Sequence, residues 1–223
     1  MAKNETLTEK FAALIAERAK SWDPSRLAKN AAERRELVER FDPGRIAQPG
    51  ERIEPFVLLQ AEGEEIRLDR LVEGGPAVLV FFRFGECPAC NIALPHYDRY
   101  LRPALEAEGI PLLAVSPQLP ERLRSFRERR GLGLRLASDP DNRLARRLGI
   151  TFTPQDIPDG PPPPGWIGEL TGTGSWELPQ PAIVVLEQDL SIRAIKVSPD
   201  WLDRPEVDEI LALAIPGFDR RAA

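Results

Sequence analysis

The sequence predicts an α/β protein in which strands alternate with helices, preceded by a helical N-terminal extension. Three observations lead to this fold class: helical spacing of apolar residues near the N-terminus, unbroken apolar runs further on, and helix-type segments between those runs. The 223 residues are 42% apolar, which is enough for a sizeable core. We therefore expect an extension over residues 1–47 and a single domain over residues 48–223.

The elements are predicted in chain order. Two helices lie before residue 42, separated at Pro24, and a hairpin at 54–68 turns at Gly63. Residues 77–84 and 110–116 are apolar without alternation, which is typical of strands buried on both faces. Further strands are expected at 134–137, 182–187 and 192–197, and further helices at 91–108, 119–130, 142–148 and 204–213, the last with Asp203 as N-cap and Pro205 in its first turn.

Residues 157–175 show no periodicity and include four consecutive prolines. We interpret them as a stiff connection on the surface. A functional lid or a partner-binding loop is the alternative.

Composition excludes several classes of function. A net charge of −5 argues against a nucleic-acid-binding surface that covers the whole protein. No apolar run approaches the roughly 18–20 residues that span a bilayer, and the N-terminus lacks the apolar core of a secretory signal, so no membrane association is expected. With two Cys and one His, a single chain cannot form an all-cysteine or cysteine–histidine structural zinc site.

The two cysteines, Cys87 and Cys90, are only three positions apart. A disulfide across so short a loop would add little stability, and the absence of any disulfide framework suits a reducing cytoplasm. The pair follows a predicted strand and stands at a predicted helix start, where the helix dipole stabilises a thiolate. We expect Cys87 at the exposed first position, with Pro88 in the first turn and Cys90 one turn below on the same face. Cys87 would then react first and Cys90 would resolve.

The stretch from Cys87 to Cys90, followed five residues later by Pro95, resembles the CxxC motif of the thioredoxin superfamily. The chain more closely resembles the peroxiredoxin-like AhpC/TSA family, on the stretches 49–51, 55–56, 114–117, 136–139 and 172–183. The resemblance implies a thioredoxin-like fold of the peroxiredoxin-like variant, with a central mixed sheet flanked by helices. It also implies a cofactor-free antioxidant enzyme, a hydroperoxide or disulfide substrate, an external thiol reductant such as a thioredoxin or glutathione system, and compatibility with a homodimer.

The residues that flank the motif differ from those of peroxiredoxins and from those of thioredoxins. Peroxiredoxins place Thr or Ser three residues before the reactive Cys and Pro seven before it, where this chain has Phe84 and Val80. Thioredoxins place Trp directly before the motif, where this chain has Glu86. A carboxylate there would oppose a Cys87 thiolate unless it points to solvent or pairs with Arg83. Arg83 itself either holds the thiolate or a peroxide oxygen, or faces outward and pairs with Glu86.

The resemblance also places Pro181 where thioredoxin-like proteins carry a cis-proline facing the cysteines. We predict a cis bond there, with the backbone of Gln180 offered to a peptide-like partner. An ordinary trans proline at a strand start is the alternative.

The leading hypothesis is reduction of hydroperoxides through a Cys87/Cys90 dithiol–disulfide cycle. A thioredoxin-like protein thiol-disulfide oxidoreductase is the first alternative. A metal or copper carrier is the second, although His96 lies about 240° around the helix from Cys90 and is badly placed to join the thiolates. A scaffold that binds partners through its Pro-rich loop is the third.

Overall fold

The computed structural model describes residues 5–155 and 157–219, which form a seven-stranded mixed sheet flanked by helices. The strand order is β2-β1-β5-β4-β3-β8-β9, in which β3, β4 and β5 are parallel and the others antiparallel to their neighbours. Two short strands, β6 and β7, form a separate pair. The strands are β1 (Val57–Gln60), β2 (Glu65–Arg67), β3 (Ala77–Phe81), β4 (Leu112–Ser116), β5 (Arg135–Ser138), β6 (Thr151–Phe152), β7 (Leu178–Pro179), β8 (Ala182–Leu186) and β9 (Ile192–Val197).

The helices cover both faces of the sheet. They are α1 (Leu7–Ser21), α2 (Pro24–Glu39), α3 (Leu68–Leu71), α4 (Cys90–His96), α5 (Arg102–Ala107), α6 (Pro120–Arg130), α7 (Arg143–Arg147), α8 (Ile167–Thr171) and α9 (Val207–Ala214). A π-helical turn, Tyr97–Leu101, joins α4 to α5 shortly after the in-helix Pro95. Within the described residues, no helix is long and apolar enough to cross a bilayer.

The central strands confirm the prediction from the apolar runs. Every residue of β3, β4 and β8 is buried. Strand β8 pairs antiparallel with β3, and Ala182 lies opposite Phe81. The carboxyl end of β3 and the amino end of β8 therefore meet at one edge, next to the segment that carries the cysteines.

The N-terminal extension is packed onto the domain through α1. Thr6 caps this helix in a capping box with Glu9, and Leu7 and Phe11 are buried in the same apolar cluster as both cysteines. Helix α2 has no buried residue; Arg34 on it binds both carboxylate oxygens of Asp200 at 2.7 and 2.6 Å. The extension thus lies over the part of the domain that holds the CxxC motif.

The last helix begins later than the sequence predicts. Asp203 is not its N-cap and Pro205 is not in its first turn, because α9 starts at Val207 after Glu206. Residues 203–206 lie outside the helix, and within them the Arg204 side chain is buried and donates from Nε to the Trp201 carbonyl. The Glu206 carboxylate accepts hydrogen bonds from the backbone N–H groups of Leu7 and Thr8 at 3.0 and 2.9 Å, so this residue joins the two ends of the described chain.

The loop at 157–175 contains one short helix that the sequence analysis overlooked. Helix α8 ends at Gly172, which adopts a left-handed conformation, and Trp166 packs on Trp176 with ring centroids 4.9 Å apart. The Thr171 carbonyl accepts from the N–H of Leu119, which fixes the loop against the start of α6. The loop is therefore attached to the domain by packing as well as by its ends.

Candidate active site

The cysteines stand at the junction of β3 and α4. Cys90 is the first residue of α4, and the Cys87 carbonyl accepts hydrogen bonds from the Asn91 N–H at 3.0 Å and from Asn91 Nδ2 at 2.8 Å. Cys87 therefore begins the hydrogen-bond ladder of the helix, and Pro88 lies exposed in the turn that leads into it. Gly85 is required in this segment because a Cβ there would lie 2.8 Å from the Phe126 ring.

Both cysteines are free thiols, and both are buried. Cys87 is 3% exposed and Cys90 is 0% exposed. Cys87 is therefore the more exposed of the two, as expected, but the expectation that it is accessible is wrong. The reason is the cover provided by α1 and by the segment before α9, whose buried residues Phe11 and Trp201 belong to the same apolar cluster. Sequence reasoning placed the pair at a helix start but could not foresee this cover.

A buried arginine that the sequence analysis missed contacts the pair. Arg204 is 5% exposed and donates from Nη2 to the Cys90 Sγ at 3.3 Å and from Nε to the Trp201 carbonyl at 3.0 Å. The buried hydroxyl of Tyr97 donates to the Pro205 carbonyl at 2.7 Å, which fixes the backbone next to Arg204. No local pattern indicates this contact, because 114 residues separate Arg204 from Cys90.

The two thiols differ in acidity. Burial by itself would raise the pKa of Cys90, but the hydrogen bond from Cys87 and the charge of Arg204 hold that pKa well below its usual value. The hydrogen bond to Cys90 and then burial raise the pKa of Cys87 well above its usual value. The charge of Arg204 therefore favours the thiolate form of Cys90, the sulfur that it contacts.

Arg83 faces inward. It is 8% exposed, its guanidinium lies 4.4 Å from the centroid of the Trp201 ring, and its Nε has no hydrogen-bond partner among the described residues. The alternative of an outward Arg83 paired with Glu86 is therefore wrong. The charge of Arg83 acts on Cys87 and opposes the rise in the pKa of that thiol.

Glu86 points away from the sulfurs. Its carboxylate accepts from Gln118 Nε2 at 3.1 Å and lies 3.8 Å from Arg129, and the side chain is exposed. Gln118 also accepts from the N–H of Gly85 at 2.7 Å through its Oε1. The carboxylate next to Cys87 in sequence is therefore held in a surface network and does not oppose a thiolate at close range.

Pro181 is not cis, contrary to the prediction. No cis peptide bond occurs in the part of the chain that the structure describes, which includes Gln180 and Pro181. The Gln180 N–H donates to the Ile150 carbonyl at 2.8 Å, and the Pro181 carbonyl accepts from the Ser198 N–H at 2.7 Å. The chain therefore runs from β7 into β8 with backbone partners on both sides of the trans bond. Gln180 lines a cavity of about 360 Å³ between the end of α2 and β6.

The His96 ring is buried on α4 and lies 4.9 Å from the Tyr100 ring, and burial lowers its pKa. Within the described residues there is no group of three or more His, Cys, Asp or Glu side chains that could hold a metal ion.

Comparison with known proteins decides the family. The model of the AhpC/TSA family matches residues 49–195, which is more than half of the chain. The chain belongs to the AhpC/TSA family. This assignment confirms the resemblance that the motif and its flanking stretches indicate, and the matched region includes both cysteines but not Arg204 or the two N-terminal helices.

Curated relatives agree with the AhpC/TSA assignment. The chain is 29% identical over 101 residues to "Putative peroxiredoxin Rv2521" of Mycobacterium tuberculosis and 27% identical over 101 residues to "Putative peroxiredoxin bcp" of Haemophilus influenzae. Each match covers 45% of this chain, and it spans 63% and 64% of the relatives' lengths.

Solved structures show the same fold. The crystal structure of peroxidoxin BcpB from M. tuberculosis aligns with a TM-score of 0.56 at 20% identity, over 74% of this chain and 95% of that one. A peroxiredoxin-like protein from Aquifex aeolicus aligns with a TM-score of 0.54 at 17% identity, over 75% and 88%. These alignments confirm the thioredoxin-like fold of the peroxiredoxin-like variant.

Proposed function

We propose that this AhpC/TSA protein is a thiol peroxidase that reduces hydroperoxides through a Cys87/Cys90 dithiol–disulfide cycle. The observation that carries the proposal is a pair of free, buried cysteines at the start of α4, one of them bound by the buried guanidinium of Arg204. A thiolate is the nucleophilic form of cysteine, and a neighbouring positive charge keeps that form populated at neutral pH.

In this cycle the thiolate attacks one oxygen of the hydroperoxide, the O–O bond breaks, and an alcohol leaves after taking a proton. The sulfur becomes a sulfenic acid. The second cysteine, as its thiolate, then displaces the hydroxyl group, which leaves as water, and a disulfide forms. An external thiol, of the thioredoxin or glutathione type, reduces that disulfide back to the dithiol. A chain with two cysteines and no disulfide framework is suited to work in the cytoplasm.

The protein disulfide oxidoreductase is the weaker candidate. Both sulfurs are buried, so a folded protein disulfide has no direct approach to them, whereas hydrogen peroxide has only two heavy atoms. The trans bond at Pro181 also removes the cis-proline on which the substrate groove of that alternative depended.

The decisive test compares two oxidants on the reduced full-length protein by stopped-flow tryptophan fluorescence, because Trp201 lies against Arg83 and next to the pair. We expect oxidation by hydrogen peroxide at least about a hundredfold faster than that of free cysteine, since preorganised charges at a reacting atom typically contribute a factor of this size. A small linear disulfide should react more slowly. The Cys87→Ser/Cys90→Ser double variant is the control and should give no signal. Peroxide rates equal to those of free cysteine, with fast disulfide exchange, would favour the oxidoreductase instead.

A further inference from the structure

A cavity of about 450 Å³ lies between α1 and α4, and its lining includes Lys10 and Ala13 of α1 together with Ile92 and Pro95 of α4. The π-helical turn after α4 contributes further residues to the lining, and turns of this kind are frequent at functional sites. Cavities of roughly 300–1,000 Å³ accommodate small organic molecules. The match to the AhpC/TSA family begins at residue 49, so the α1 wall is a feature that the N-terminal extension adds.

His96 is a buried histidine in the lining of this cavity. It is 7% exposed, and neither of its ring nitrogens has a hydrogen-bond partner within the described part of the chain. Nδ1 is fully enclosed, so Nε2 is the nitrogen that a molecule in the cavity can reach. The charge of Glu206 acts on His96, but that carboxylate accepts from the backbone N–H groups of Leu7 and Thr8. Because buried polar groups normally have a partner, the unpartnered ring favours a polar ligand in the cavity.

The lining also carries a positive charge that no carboxylate of the described residues balances. Lys10 is paired with Glu5 at 2.7 Å. The guanidinium of Arg99 instead lies 5.3 Å from the centroid of the Tyr100 ring, and among the described residues it has neither an ion pair nor a hydrogen bond. The Tyr100 hydroxyl has no hydrogen-bond partner among them either. A guanidinium, a phenol hydroxyl and an imidazole therefore line one cavity without acceptors, which is an arrangement suited to an anion.

We propose that this cavity binds a small organic acid, whose carboxylate is held by Arg99 and His96 and whose apolar body lies against Ile92 and Pro95. A planar guanidinium binds a carboxylate through two parallel N–H bonds, and an N–H at His96 Nε2 donates a third. The half-buried side chains of Ile92 and Pro95 offer an apolar surface to the rest of the ligand. The site uses neither sulfur and does not depend on the proposed peroxidase function.

Binding in this cavity also stabilises the cover of the sulfurs, because one wall of the cavity belongs to α1. Phe11 of the same helix is buried in the apolar cluster that contains both cysteines. A ligand that binds only while α1 is docked makes the undocking of α1 rarer by a factor of 1 + [L]/Kd. At ten times Kd this factor is about ten, so the bound acid restricts access to the dithiol.

The first experiment uses His96 as a reporter, since it is the single histidine of the chain. Its imidazole proton signals are followed by NMR in the reduced full-length protein during titration with benzoate, with uncharged benzyl alcohol and with inorganic phosphate. We expect a saturable shift with benzoate and at least about tenfold weaker binding of the other two, which lack either the charge or the ring. No saturable shift with benzoate, or equally tight binding of benzyl alcohol or phosphate, would overturn the assignment of an organic acid.

Arg99→Gln tests the residue that supplies the charge. Arg99 is exposed, so the substitution leaves the core intact, and benzoate binding should weaken at least about tenfold. Arg124→Gln is the matched control, because Arg124 is also an exposed helical arginine but lies on α6, outside the cavity. It should bind benzoate as the wild type does. Equal affinities of the two variants for benzoate would contradict the role of Arg99.

The second experiment measures the coupling to α1 by iodoacetamide labelling of the reduced cysteines. At a benzoate concentration of ten times the wild-type Kd, labelling should slow about tenfold in the wild type and no more than about twofold in Arg99→Gln. Unchanged labelling of the wild type at this concentration would contradict the coupling. Slow peroxide reactions combined with the expected shift of His96 would contradict the peroxidase function and leave the organic-acid site in place.

Discussion

Gly149→Ala is expected to lower the free energy of unfolding by more than about 3 kcal/mol, the largest effect of any glycine substitution in this chain. Gly149 has a φ of +72°, and a Cβ there would lie 2.0 Å from the Arg45 carbonyl oxygen and 2.9 Å from the Arg45 carbonyl carbon. These are backbone atoms and cannot rotate away. The connector between α2 and β1 would have to move off the end of α7, which would also strain the hydrogen bond from Ala47 N–H to the Leu148 carbonyl.

Gly174→Ala is the matched control for this prediction. Gly174 has a φ of +67°, close to that of Gly149, but nothing lies within 4 Å of the position that its Cβ would take. The free energy of unfolding of this variant should fall only by the cost of placing an alanine in a left-handed conformation, about 1–2 kcal/mol. Urea unfolding, monitored by circular dichroism, measures the free energy of unfolding of both variants. Equal losses would show that the close approach of Arg45 to Gly149 does not exist in solution.

The sheet could be predicted from the sequence because its signals are local. An unbroken apolar run identifies each of the strands β3, β4 and β8, and the CxxC motif after β3 identifies the edge at which chemistry would take place. The runs identify these strands as buried, and the structure pairs β8 antiparallel with β3. Where every residue of a strand is buried, a short apolar stretch of sequence is enough to identify the strand.

The environment of the sulfurs could not be predicted because it depends on distant segments. Asp203, Arg204 and Pro205 form a plausible helix start by local rules, yet in the structure Arg204 contacts Cys90 and the helix begins at Val207, after a capping box formed by Glu206 and Glu209. The prediction of a cis bond at Pro181 failed for a related reason. The backbone partners of Gln180 and Pro181 come from Ile150 and Ser198, which lie outside the stretch on which the resemblance rested.

Phe11→Ala is expected to open access to the dithiol while the domain remains folded. Phe11 is 2% exposed on α1 and belongs to the apolar cluster that encloses both cysteines. Removing a buried phenylalanine side chain typically costs about 3–5 kcal/mol, and here much of that loss falls on the docking of α1, which has few other buried side chains. Labelling of the reduced protein by iodoacetamide, which must reach the sulfur, should become at least about tenfold faster.

Ile15→Ala is the control, because Ile15 is on the same helix but is 43% exposed. It should label at the wild-type rate. Hydrogen peroxide has only two heavy atoms and can use the residual 3% exposure of Cys87 beside the exposed Pro88, so the rate of its reaction should change less than the labelling rate. A bulky reductant must displace α1, so disulfide reduction by a thioredoxin should accelerate together with labelling. Phe11→Ala could instead label at the wild-type rate while its unfolding stays cooperative with a lowered free energy of unfolding. That result would mean that α1 stabilises the protein without covering the sulfurs. The reductant would then have to approach from the side of Pro88.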